Sequence, residues 1–156
     1  MTRLHTTVRG TVAATLIALT ALCLATTAWA SPSKAPERIP AVFIGDRLVD
    51  VAFNLGVLPE GTALRCSQWP MCENIKNATQ VLGCPNHILK KPKTVPNFIK
   101  ARGIKRVLIE RTPHFCLYKP KADPGKAANQ LKGLDVDIQY VDFSQGVPSA
   151  IRQTAK

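Results

Sequence analysis

Two short apolar runs constrain this chain more than any other feature. Pro40-Ala-Val-Phe-Ile44 and Lys105-Arg-Val-Leu-Ile-Glu110, the latter apolar at its centre Val107–Ile109, are rich in branched residues and too brief for ordinary helices. Runs of this kind suit strands buried on both faces of a sheet. Gly45-Asp46 breaks the first run. From Arg47 onward, Leu48, Val51, Ala52 and Leu55 recur at helical spacing, and Gly56 sits where a helix stops. Strand, tight turn and helix make the first half of a βαβ unit.

The alternation continues along the chain. Leu58-Pro-Glu-Gly61 reads as a turn, Thr62–Arg65 as a short strand, and Trp69–Ala78 as an irregular turn with a short helix. Thr79–Gly83 suits another short strand, and Lys90-Lys91-Pro-Lys93 a basic loop. Val95–Arg102 has Pro96 in its first turn and Gly103 at its end, as helices do. Asp123–Leu134 reads as a helix with Pro124 just inside its start. Asp135–Phe143 alternates like a strand, and Val147–Ala155 closes the chain as a helix with Ser144 as its cap. The expected fold is α/β: a single Rossmann-like three-layer domain, 40–156, with a mostly parallel sheet flanked by helices.

What precedes residue 40 reads differently. Arg3 and Arg9 lead into an apolar run from Val12 to Ala25, and Ala28-Trp29-Ala30 follows. This is the pattern of a secretory signal peptide, 1–30, cut after Ala30. Ser31–Ile39 is proline-rich and charged, a flexible lead-in. The expected location is periplasmic or otherwise exported, and soluble after cleavage. Removing the leader takes away two arginines and no acids, leaving 19 Lys and Arg against 10 Asp and Glu. An exported chain seldom meets nucleic acid, and its basic residues do not interleave with aromatics as a nucleic-acid platform would. The charge points to an anionic small ligand, an acidic envelope partner or a membrane surface.

The chemistry-bearing residues concentrate between Cys66 and Cys116. Cys66 leads to Trp69-Pro70 and Cys72, Cys84 to His87, and His114 to Cys116. Each group follows an expected strand, so a parallel sheet would gather them at one rim. Three readings stay open. Cys66, Cys72, Cys84 and Cys116 are an even number in a compartment that permits disulfides, with Cys66–Cys72 and Cys84–Cys116 as natural pairs. Alternatively, Cys84, His87, His114 and Cys116 offer a two-Cys, two-His set for a transition metal or a metal-containing cofactor. A thiol-based redox or metal-transfer role is the third. Trp69 suits stacking on a flat ligand, Arg65 and Arg111 suit pairing with carboxylates, and Asp50 is a ligand-side acid on the first helix. No phosphate-cradling glycine loop, Gly-x-Ser-x-Gly elbow or His-Glu-x-x-His occurs, so nothing points to an enzyme.

The order of elements resembles the amino-terminal lobe of class III periplasmic binding proteins, which capture cobalamin, haem and ferric siderophores. The likeness rests on Arg38-Ile-Pro-Ala-Val-Phe-Ile-Gly45, Val49-Asp50-Val-Ala-Phe-Asn-Leu-Gly56 and Cys66-Ser-Gln-Trp69-Pro70. Arg106-Val-Leu-Ile109 and Leu131–Asp142 also fit it. It implies a stand-alone single lobe that binds an iron chelate, corrinoid, haem or metal ion at a Cys/His/Trp rim. It departs from the family in having Gly45 and Val49 where hydroxyl residues are common. No acid stands near Asn97 and Phe98, so docking to an import permease is not implied. The remaining expectation is a disulfide-stapled partner of an envelope complex.

Overall fold

The computed structural model describes residues 37–154, apart from 69–71, 113–114, 117–118 and 120. The chain divides into two units, Met1–Lys34 and Ala35–Lys156, and all described residues belong to the second. The expected leader therefore lies outside them. Among the described residues, no helix is long and apolar enough to cross a membrane.

The first apolar run is the centre of the sheet. β1 (Glu37–Ile44) pairs in parallel with β2 (Val57–Ala63) on one side and β4 (Arg106–Arg111) on the other. β3 (Gln80–Val81) pairs with β2, and β5 (Asp137–Asp142) with β4, giving the order β3-β2-β1-β4-β5. All pairings are parallel. Such an arrangement needs a helical crossover between neighbours, and the helices supply it: α1 (Asp46–Asn54), α2 (Cys72–Ala78), α3 (Pro85–Lys90), α4 (Thr94–Arg102), α5 (Pro124–Asn129) and α6 (Val147–Thr154). This is the α/β Rossmann-like domain that the alternation predicts.

Strand alternation divides the core in two. Ala41 and Phe43 of β1 pack with Leu48 and Ala52 of α1, Ile75 of α2 and Ala150 of α6. Val42 and Ile44 face the other way, against Ile88 of α3, Val95 and Ile99 of α4 and Ala127 of α5. Both faces are thus apolar, which is why the β1 sequence does not alternate. Burying one such side chain contributes roughly 1.5–3 kcal/mol.

The structure corrects several boundaries. Leu58–Gly61 is not a turn but the body of β2. Proline is a poor guide there, because β3 lies beside only Gly61 and Thr62, so Pro59 faces no β3 partner. The β1–β2 register jumps from Ile39↔Pro59 to Val42↔Gly61, a bulge that absorbs Pro40 and Ala41. Strand β1 also begins three residues early, inside the expected lead-in. Helix α3 lies where no helix was expected, with Cys84 as its cap and Pro85 in its first turn. The Asp123–Leu134 helix is shorter, ending at Asn129 before a run of turns. Ser144 does not cap α6, which starts at Val147; its N–H donates to Asp142 Oδ1 instead.

The carboxyl end of the β5 edge is engaged. The Gln153 side chain of α6 accepts from the Asp142 N–H at 2.9 Å and donates to its carbonyl at 3.2 Å. Main-chain groups that would otherwise invite a foreign strand are engaged there.

Candidate ligand-binding rim

Because the strands are all parallel, their carboxyl ends share one rim, and the strand order reverses between β1 and β4. A crevice opens above such a reversal. Gly45 and Asp46 leave β1 there, and Glu110, Arg111 and Thr112 end and follow β4. Glu110 is fully buried, next to last in β4 after the apolar run Val107–Ile109. Its Oε2 accepts the N–H groups of Arg47 and Leu48, at 2.9 and 3.2 Å, in the first turn of α1. Its Oε1 accepts the Thr112 hydroxyl at 3.0 Å. The carboxyl group thereby caps a helix that has no side-chain cap of its own. Burial pushes the Glu110 carboxyl above the ordinary glutamate range, and nearby Asp46 adds to this. The hydrogen bonds from Leu48, Thr112 and Arg47 only partly oppose it.

Asp46 is equally buried and accepts the Arg65 N–H at 2.6 Å, tying α1 to the segment that leaves β2. The Gly45 N–H donates to the Ala63 carbonyl at 3.0 Å, a second tie between the same loops. Gly45 has φ of 136°, and a Cβ added there would overlap Glu110 Cβ and come within 2.5 Å of its Oε2. Only glycine admits the glutamate this close.

Arg65 and Arg111 both stand at this rim. Arg65 Nε donates to Ser67 Oγ at 3.2 Å. The Arg111 guanidinium lies 5.8 Å from the centre of the Tyr140 ring, itself 41% exposed. With Asp123, Pro124 and Gly125 they line a small open pocket at the ends of β4 and β5. Asp142, at the end of β5, is held below the usual carboxylate range by the Ser144 N–H and hydroxyl, with the Arg111 charge adding to this. Asp50, in contrast, sits one helical turn further along α1, where its Oδ1 accepts the Asn54 amide at 3.2 Å. The structure does not bring it to the rim.

Of the cysteines, Cys66 and Cys72 form a disulfide that closes the loop between β2 and α2. Cys84 and Cys116 are free. Cys84 is half-buried, and its Sγ accepts the His87 N–H at 3.4 Å. Cys116 is only 1% exposed, beside the fully buried Phe115. Trp69 and His114 lie outside the described residues. Among the described residues no three of His, Cys, Asp and Glu gather into a metal-binding group. Cys84, His87 and Cys116 are therefore not assembled around a common point.

A chain of residues 31–156 is expected to show two thiols by native titration, Cys84 labelling faster than buried Cys116, and four after denaturing reduction. Reducing the Cys66–Cys72 bridge frees a loop of sequence separation 6. Chain entropy puts its loss at about 2 kcal/mol, read as a lower denaturation midpoint.

Asp46, Glu110, Thr112 and Tyr140 were not singled out as site residues in the sequence. The available signal was an acid directly after an apolar run, in Val-Leu-Ile-Glu110 and in Ile44-Gly-Asp46. The fold and rim define an α/β domain of the doubly wound parallel class. No family model, curated protein or solved structure matches the chain.

Proposed function

We propose that this chain is an exported, non-enzymatic binding protein that takes a small acidic ligand at its carboxyl rim. The ligand class that fits the proposal is a planar or chelate molecule bearing carboxylates: haem, a corrinoid or an iron chelate. The metal travels as part of the cargo. The observation that carries the reading is Arg111, whose guanidinium stands over exposed Tyr140 in the pocket beside Asp123–Gly125. A guanidinium fork matches a carboxylate, and an exposed ring offers a face for stacking. The buried Glu110 network supports the reading by fixing the end of β4 that carries Arg111.

The test uses Trp69, the one tryptophan of the mature chain, as a fluorescence reporter. Titration with haem, vitamin B12 and a ferric catecholate chelate is expected to give saturable quenching for at least one of them. Loss of a charge-assisted contact in Arg111→Ala should weaken that binding about tenfold or more, from roughly 1.5–3 kcal/mol per such bond. Failure of all three probes to bind the wild-type chain sinks the proposal.

The free, half-buried Cys84 beside its His87 N–H favours a second reading, thiol redox or metal transfer. That reading requires the Cys84 thiol to exchange with a mild disulfide such as oxidised glutathione. An inert Cys84 under native conditions ends it.

A further inference from the structure

We propose that a lysine-lined groove between α3 and α5 is a binding site for compact polyanions bearing two or more phosphate groups. The groove, about 280 Å³, is walled by Lys90 of α3, Lys119 and Lys121 of the preceding loop, and Lys126 of α5. Asp123 is the one acid among its lining residues, so the lining carries a net charge of +3. The Asp123 carboxyl is already engaged with the Gly125 N–H at 2.8 Å. Among the described residues, none of these four lysines makes an ion pair, whereas Lys76 and Lys105 elsewhere do.

Like charges brought together this way repel one another, and the fold gains nothing from it. The framework holding them is nevertheless built. Gln130 donates to the Leu89 carbonyl at 3.3 Å, linking the end of α3 to the turn after α5. Buried Phe115 and Cys116 anchor the start of the lysine-bearing loop, and the Lys119 N–H donates to the Cys116 carbonyl at 3.0 Å. Two separated chain segments, the end of α3 and the stretch from Lys119 to Lys126, thus present ammonium groups around one hollow.

The residue type selects the ligand. Lysine is a compact point charge with no fork for a planar carboxylate, which suits a tetrahedral, multiply charged group. A +3 lining balances two or three phosphate charges in a small volume, and a monocarboxylate leaves most of it uncompensated. The phosphates can belong to a soluble polyphosphate or to lipid headgroups, and the experiment separates the two.

The mature chain is titrated calorimetrically with tripolyphosphate. In parallel it is sedimented with phosphatidylcholine vesicles made with and without phosphatidic acid. The expected result is salt-sensitive binding that Lys119→Gln/Lys126→Gln weakens about tenfold, with a shallower slope of log affinity against log salt. The charge-preserving Lys126→Arg should stay within about threefold of wild type. So should Lys105→Gln/Lys132→Gln, which removes the same charge from another face. Binding to acidic vesicles with the same pattern of losses assigns the phosphates to lipid, and binding of tripolyphosphate alone assigns them to a soluble ligand. Equal weakening by the control pair would show only a general charge effect and overturn the site. Absence of binding by both probes overturns it as well.

Discussion

Replacing Glu110 with alanine is expected to destabilise the domain by about 3–5 kcal/mol, measured by chemical denaturation. The carboxyl accepts the N–H groups of Arg47 and Leu48 and the Thr112 hydroxyl while itself fully buried. Removing it leaves the buried Leu48 N–H and the part-buried Arg47 N–H without this acceptor, and a void above β4. A domain of this size has roughly 5–15 kcal/mol of stability in total, so the loss is a large share. Glu110→Gln is the informative companion. Its oxygen can replace Oε2 toward α1, and the Thr112 hydroxyl can turn to accept from the new amide.

The two variants also differ in pH dependence. Since burial raises the Glu110 carboxyl above its ordinary value of 4.5, the folded state holds the proton more tightly than the unfolded state. This group's contribution is therefore full below pH 4.5 and is lost as pH rises toward the folded-state value. Asp142 is lowered below 3.8 and acts in the opposite sense, losing its contribution as pH falls through that region. Denaturation midpoints measured from pH 4 upward should show the downward slope in wild type, and Glu110→Gln should flatten it. An unchanged slope in Glu110→Gln would assign the effect to another group.

Gly45→Ala is the second large expected effect, a loss of about 2–5 kcal/mol. At φ of 136° an alanine is strained, and its Cβ would overlap that of Glu110. Backbone strain and overpacking each cost about 1–3 kcal/mol. The melting temperature should fall on the order of 10 °C. Truncating the glutamate does not rescue it, because the overlap is with Glu110 Cβ, which alanine keeps. The double variant Gly45→Ala/Glu110→Ala should therefore be less stable than Glu110→Ala alone, by a margin close to that of Gly45→Ala in the wild type. Recovery of stability in the double variant would place the conflict at the carboxyl end instead.

The parts of the fold legible in the sequence were those with one dominant signal. Two-sided burial wrote β1 and β4 as apolar runs, and helical spacing of Leu48, Val51 and Ala52 marked α1. Gly103, in the left-handed conformation at φ of 63°, ended α4 where the glycine suggested. Misreadings arose where a strong local signal met a tertiary exception. Pro59 reads as a turn residue, yet the shortness of β3 makes proline tolerable in β2. The α3 segment is too short for a periodic pattern, and only Cys84-Pro85 hinted at a start.

The rim itself followed from the strand order, since parallel strands must end together, and Arg65 and Arg111 do lie there. Which residues meet across it did not follow. Glu110 reaches α1 over 62 or more residues of chain, a distance that no spacing rule registers. The pairing of Cys66 with Cys72 was one of the open alternatives, decided by the loop that brings α2 back to the end of β2.

The buried glutamate also bears on what the crevice can recognise. In a doubly wound sheet, the first helix after β1 offers its free N–H groups to whatever anion enters, commonly a nucleotide's pyrophosphate. Here that seat is taken by a carboxylate from the chain's own β4, and the glycine that would let a phosphate approach admits the glutamate instead. A dinucleotide would have to evict a covalently tethered competitor at very high local concentration. In the reading proposed here, anion recognition is displaced outward, from main-chain amides in the crevice to the Arg111 side chain at the end of β4.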